Sequence, residues 1–434
     1  MDTKSPVIFN LFPRHFDSID QWSGSAARAA DMGFNWVFVN PFHETGFSGS
    51  LYAVKDYYRL NPLFLGREEN PSDWTPLRRF VEDCRGRGLK VAMDLVINHT
   101  AKDAVLRTTH PEWYSYDEKG EVRSPYAVDP DDPKKVTVWG DLAIVNNESA
   151  DSREELWAYW DRMVSFFQGM GFEGFRCDAA YQVPAPLWQW LIGSAKQRHP
   201  ETMFLAETLG CSLEEVAALS ECGFDFLFNS SKYWRFDEPW CIEQHTAHRR
   251  IAPSVSFPES HDTPRLASEK PGTLEMQKNR YVLAAVFSRG LLMPMGYEMG
   301  AVTRMDVVKG SPGDVDERRW DLSDWVAACN RWKVSDRVLA DEGHWEAISP
   351  LDGAILFLRK SCDDRSRSML FCVNKSNESR HTVTRKEIPR SVSASGEIIR
   401  PFTGTFRRES FSDEVVLERS EIVALPEKGP RRSS

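Results

Sequence analysis

No apolar run in this chain approaches the roughly 18 residues that a bilayer span needs, so no membrane-crossing segment is expected. The start, MDTKSPVIFNLF, lacks the basic n-region, long apolar stretch and small-residue cleavage site of a secretory leader. A basic excess is missing too: 54 Lys and Arg face 64 Asp and Glu, a formal net charge of −10. Nucleic acid or an anionic membrane would require a basic face, so neither is expected as a partner. The eight cysteines (positions 84, 177, 211, 222, 241, 329, 362 and 372) form no CxxC pair and no metal-ligand spacing. Scattered thiols of this kind read as reduced and buried, and the expected location is the cytoplasm. Repeats and low-complexity segments are absent apart from the polar tail PEKGPRRSS, for which disorder is expected over 427–434.

What the chain does have is rhythm. VIFNLF (7–12) reads as a strand, SGSAARAADMG as a short helix and NWVFVNPF (35–42) as a buried strand. Within 73–88, Leu77, Phe80, Val81 and Cys84 fall on one helical face, and KVAMDLVINH (90–99) is again an apolar strand. Residues 100–150, rich in Pro, Asp and Lys, interrupt the alternation as a long excursion. Ser152 and Glu155 then have the spacing of a capping box, opening a helix that buries Leu156, Tyr159, Trp160, Met163, Val164 and Phe167.

The alternation resumes with strand 173–180, helix 186–198, strand 203–208, a helix over 212–223 and strand 224–230. Strand 254–260, helix 274–290 and strand 291–298 follow. Eight strands interleaved with helices predict a (β/α)8 TIM barrel over 1–343, with the inserted subdomain at about 100–150. From 344 to 426 short alternating runs such as AILFLRK and SMLFCVN predict a C-terminal antiparallel β-sandwich.

Chemistry in such barrels sits at the C-terminal ends of the strands. Those ends carry Asp94, Asn98 and His99, then Arg176 and Asp178, then Glu207, then His261 and Asp262. Taken singly, an Arg-x-Asp is an ion pair, a lone Glu is solvated and a His-Asp is a turn. As a set, the carboxylates fit cleavage of a glycosidic bond with retention, which needs a nucleophile and a protonated acid. Arg176 and Asp178 are two apart on a strand, so they share a face, and the guanidinium would hold Asp178 ionised. Glu207, in the apolar setting FLAE, would be raised toward the working range of a general acid.

DLVINH (94–99), GFRCDAA (174–180), FLAE (204–207) and SHD (260–262) resemble, in order and spacing, four signature segments of the α-amylase superfamily, glycoside hydrolase family 13. SLYAVKDYY (50–58) and MPMGYE (293–298) are similar to two more of its segments. The resemblance implies Asp178 as nucleophile, Glu207 as acid/base and Asp262 as stabiliser of the transition state. It further implies that Tyr52 stacks on the sugar, with Asp94, His99, Arg176 and His261 as hydrogen-bonding neighbours and Asp56 as structural. A Ca2+ ion, where the family binds one, would use Asn98 and Asp141, but the third position holds Gln182 in place of His.

Tyr181 also departs, standing where starch-cleaving amylases often have Lys. NLFPRHF (10–16), HPEWYS (110–115) and VPAPLWQWLI (183–192) resemble the maltosyltransferases that use maltose 1-phosphate. Those enzymes place Asn after the nucleophile, where this chain has Ala179, and carry a large N-terminal domain not seen here. The expected activity is therefore hydrolysis or transglycosylation of short α-1,4-linked glucans or maltooligosaccharides, with no required cofactor. Maltosyl transfer from maltose 1-phosphate and a non-catalytic carbohydrate-binding barrel are the alternatives.

Overall fold

The computed structural model describes residues 5–427, apart from 67–68, 129–133, 135, 149–151, 316–317, 390–391, 393–395 and 411–412. The tail expected to be disordered lies, from 428 onward, outside the described residues.

Eight parallel strands close the barrel: β1 (Val7–Leu11), β2 (Trp36–Val39), β3 (Lys90–Leu95), β4 (Gly174–Cys177), β5 (Met203–Glu207), β6 (Phe226–Phe228), β7 (Ser254–Ser256) and β8 (Gly290–Pro294). β8 returns to pair with β1, Val7 opposite Leu291. The strands read as unbroken apolar runs because both of their faces are covered. Val7, Phe9, Val37, Val91, Met93, Phe175 and Phe204 point outward to the helices. Ile8, Trp36, Phe38, Ala92, Leu205, Phe228, Val255 and Leu292 form a separate core inside the barrel. Gly174 makes room for that interior, since a Cβ there would lie 2.8 Å from the Trp36 ring. One pleat higher the inward positions turn polar: Ile8 gives way to Asn10, Phe38 to Asn40, Ala92 to Asp94 and Gly174 to Arg176. The active end of the barrel starts at this change.

The helix over Thr75–Gly86 buries Leu77, Phe80, Val81 and Cys84, the face read from the sequence. The helix over Arg153–Gly169 buries Leu156, Trp160, Met163, Val164 and Phe167, while Tyr159 stays half-buried. Its expected capping box does not form. Ser152 Oγ instead accepts the Trp113 indole N–H at 2.9 Å, which ties the excursion to the helix start. A capping box does form at Ser212 and Glu215, but the regular helix there ends at Ala217, short of the expected Gly223. Elements not anticipated include a hairpin of His43–Thr45 with Val54–Leu60 and helices over Pro239–His248 and Ser323–Ser335. Among the described residues no helix is long and apolar enough to cross a membrane.

The C-terminal strands are β9 (His344–Ala347), β10 (Ile355–Ser361), β11 (Ser368–Asn374), β12 (His381–Thr384), β13 (Glu397–Arg400), β14 (Thr405–Ser410), β15 (Glu414–Leu417) and β16 (Ile422–Pro426). Six of them form one sheet in the order β9-β10-β11-β16-β13-β14, and β12 pairs with β15. Leu356, Leu358, Phe371, Val373 and Ala424 join the core shared with the barrel helices. On the opposite face Phe357, Leu370, Cys372, Val423 and Leu425 pack with Val383, Val415 and Leu417 of the strand pair. The second layer is therefore thin, two strands against six.

Candidate active site

Register assembles the mouth. Arg176 on β4 lies level with Asp94 on β3. Cys177 lies level with Ala206 on β5, so Asp178 and Glu207 are the next residues along two neighbouring strands. Adjacent strands are about 4.8 Å apart. Arg176 Nη1 donates to Asp94 Oδ1 and to Asp178 Oδ1, each at 2.7 Å, and its Nη2 lies 3.8 Å from Asp262 Oδ2. All but the Asp262 carboxyl, which is 44% exposed, are buried or nearly so. One guanidinium thus spans three carboxylates, and burial still pushes the Asp94 carboxyl up to about 7, opposed by Arg176 and reinforced by Asp178.

Tyr52 comes from the turn between the two hairpin strands. Its O–H donates to Asp94 Oδ2 at 2.8 Å, and its oxygen lies 2.6 Å from His261 Nε2. The Tyr52 and His261 rings stack with centroids 5.7 Å apart and planes 4° from parallel. His261 Nε2 also faces Asp262 Oδ2 at 3.1 Å. Burial lowers the pKa of both His261 and His99, so each imidazole is held neutral.

Glu207 is positioned by backbone. Its Oε1 accepts the Leu209 N–H at 2.8 Å and its Oε2 the Ala179 N–H at 3.0 Å. Ala179 reaches that carboxyl because its backbone is left-handed, φ 42° and ψ 46°. Burial pushes the Glu207 carboxyl up to about 7, partly opposed by Arg176 and reinforced by Asp178 and Asp262. The cleft between these groups is walled by Phe38, Leu209, Phe228, Phe257 and Leu292.

The structure thus brings Tyr52, Asp94, Arg176, Asp178, Glu207, His261 and Asp262 to one mouth, with His99 buried beside Asp178. Three contributors escaped the sequence reading. Asn40 Nδ2 donates to the Tyr52 oxygen at 3.0 Å and accepts, through Oδ1, from Asn10 Nδ2 at 2.8 Å. Polar residues inside the apolar runs VIFNLF and NWVFVNPF are the signal that could have found Asn10 and Asn40. Arg304 donates to the Asp262 carbonyl at 2.8 Å, and nothing in its local sequence marks it.

The residues that would hold calcium are differently engaged. Asn98 Nδ2 donates to Gln182 Oε1 at 2.7 Å, and Gln182 Nε2 donates to the Tyr181 hydroxyl at 3.3 Å. Among the described residues no hydrogen bond joins Asp141 to Asn98, and no group of three His, Cys, Asp or Glu side chains is placed to hold a metal ion. An amide bonded to an amide leaves the Gln182 oxygen turned to an N–H rather than to a cation. The residues present do not fit the ion.

A closed barrel with carboxylates at adjacent strand ends, a bridging arginine and a tyrosine stacked on histidine is the arrangement that the resemblance to the α-amylase superfamily implies. A family model of the glycogen debranching enzyme glucanotransferase domain matches residues 3–129. The α-1,4-glucan:maltose-1-phosphate maltosyltransferase of Burkholderia pseudomallei is 27% identical over 369 residues, 82% of this chain and 31% of that protein. The Rhodospirillum rubrum maltosyltransferase is 32% identical over 385 residues, 80% of this chain and 53% of that protein. An α-amylase from Lactobacillus plantarum superposes with a TM-score of 0.75 at 19% identity, over 97% of this chain and 98% of that one. The resemblance to the α-amylase superfamily stands, with maltosyltransferase similarity inside it.

Proposed function

We propose that the chain is a retaining enzyme acting on short α-1,4-linked glucans through a covalent glycosyl–enzyme intermediate, by hydrolysis or transfer. The observation that carries this is the placement of Asp178 and Glu207 at the same level of adjacent strands, each carboxyl fixed by its own donor. That spacing suits the roughly 5–5.5 Å between carboxyls in retaining glycosidases. Asp178, paired to Arg176, attacks the anomeric carbon while Glu207 delivers its proton to the departing oxygen. Glu207 then takes a proton from the acceptor, water or a glucan hydroxyl, as that oxygen displaces Asp178. Asp262 faces the oxocarbenium-like charge between these steps, and Tyr52 offers its ring to the sugar. Neither step draws on a cofactor.

The names of the relatives favour a second reading, in which maltose 1-phosphate is the donor and phosphate leaves. One panel separates the two. Maltooligosaccharides alone should yield glucose, maltose or disproportionation products, and maltose 1-phosphate with a glucan acceptor tests for inorganic phosphate. Phosphate release without any action on free maltooligosaccharides favours the second reading. Asp178→Asn should abolish either activity; unchanged turnover removes the mechanism. A non-catalytic barrel would be inert with every substrate. Cytoplasmic placement belongs to the same proposal and is supported by eight free cysteines, seven of them buried.

A further inference from the structure

The segment HPEWYS plays no part in the chemistry above, yet it walls a second cavity of about 350 Å3 on the flank of the barrel. That size is at the low end of the roughly 300–1,000 Å3 typical of ligand pockets. One wall is His110 stacked on Trp113, centroids 3.9 Å apart and planes 6° from parallel. The other is the outer face of the helix over Arg153–Gly169, with Glu154, Glu155, Tyr159 and Arg162. The walls are fixed to each other, since the Trp113 indole donates to Ser152 Oγ and its ring packs 5.8 Å from Tyr159.

The lining sets the ligand chemistry. Among the described residues the Tyr159 hydroxyl, the Arg162 guanidinium and the carboxyls of Glu154 and Glu155 have no hydrogen-bond or ion-pair partner. Two carboxylates beside one guanidinium repel an anion such as phosphate. A metal cation is disfavoured by that guanidinium, and among the described residues no cluster of three suitable ligands exists. Acceptors, donors and the half-buried His110 ring around one cavity suit a neutral polyol, whose hydroxyls bond to carboxylates and guanidinium while a C–H face lies on the imidazole. This helix follows the excursion that leaves the C-terminal end of β3, so its first turns stand at the catalytic end of the barrel.

We propose that the cavity between His110 and Arg162 is a second carbohydrate site, separate from the catalytic mouth, that holds a short segment of α-glucan chain. The inference rests on the glucan reading for its choice of sugar. It is tested by titrating maltoheptaose into the full chain by calorimetry, with maltotriose turnover measured alongside. Wild type should bind at two classes of site. The Arg162→Ala/Glu155→Ala variant should lose one class, or bind there at least tenfold more weakly, with kcat/KM on maltotriose within twofold of wild type. Either exposed residue changed alone should weaken the same class. A single class in wild type, or identical isotherms for wild type and variant, overturns the site while leaving the catalytic proposal intact. Loss of one class in an enzyme that turns over no maltooligosaccharide would sustain the site and remove the catalytic reading instead.

Discussion

Burial lifts the Glu207 carboxyl to about 7, whereas a glutamate in an unfolded chain titrates near 4.3. The folded state therefore prefers the proton. Between these two values the unfolded chain ionises first, so this residue's contribution to stability falls as pH rises from about 4.3 to 7 and levels off above. Glu207→Gln should abolish turnover and also melt higher than wild type at pH 8, with the gap shrinking toward pH 4.5. Melting temperatures offset equally at both pH values would refute the shifted carboxyl. Wild-type activity should decline as pH rises through about 7, because the acid loses its proton. Ala179 supplies a different test. A left-handed backbone costs an L-residue about 1–2 kcal/mol, and a β-branched side chain tolerates it worst. Ala179→Gly should keep stability within about 1 kcal/mol, since the strain relieved offsets the added chain entropy. Ala179→Val should lower stability by about 2 kcal/mol or more and move the alkaline limb of the pH profile, because the N–H on Glu207 is displaced. Carboxylates at strand ends were legible because period-two placement and barrel topology dictate where they point. Ala179 was not, because an alanine carries no mark of its φ angle.

Helices and strands with a strong apolar period were the legible elements. The face of Leu77, Phe80, Val81 and Cys84 is an example, since burial of one stripe both makes the helix stable and writes its spacing. Hydrogen-bond partners at helix ends were not legible. Ser152 has capping spacing, but the Trp113 indole reaches its hydroxyl from a segment 39 residues earlier. The hairpin that carries Tyr52 likewise hides in the sequence, as its registers shift twice and dilute the alternation. Between the excursion and the barrel, the amide pair Asn98–Gln182 occupies the place where the family resemblance implies an ion. Chelation with EDTA should therefore leave both melting temperature and turnover unchanged; a drop reversed by added Ca2+ would show that the pair opens to admit a metal. Gln182→Ala should cost about 1 kcal/mol in chemical denaturation, the usual net worth of one such bond.

At the scale of the whole molecule, barrel and C-terminal sheet share one apolar core. Trp345 marks the seam: its indole donates to the Phe287 carbonyl at 2.9 Å, and its ring stacks on Phe287 with centroids 4.9 Å apart. Trp345→Ala should destabilise the chain by about 3–5 kcal/mol. Because the core is continuous, denaturation followed by fluorescence and by circular dichroism should still give coincident curves; a separate early transition would mean that the sheet melts alone. The alternating runs after 344 announced an antiparallel sheet, yet which face it turns to the barrel depends on contacts across more than 50 residues, which local pattern does not encode. The order of the strands has a temporal side as well. β16 is the last described strand to leave the ribosome, and it lies between β11 and β13. Until it arrives, β11 keeps an open hydrogen-bonding edge flanked by the apolar residues of both layers. Nascent chains stalled or cleaved just before residue 422 should thus be chaperone clients with an exposed, sticky rim, even though every residue proposed for catalysis has already been synthesised.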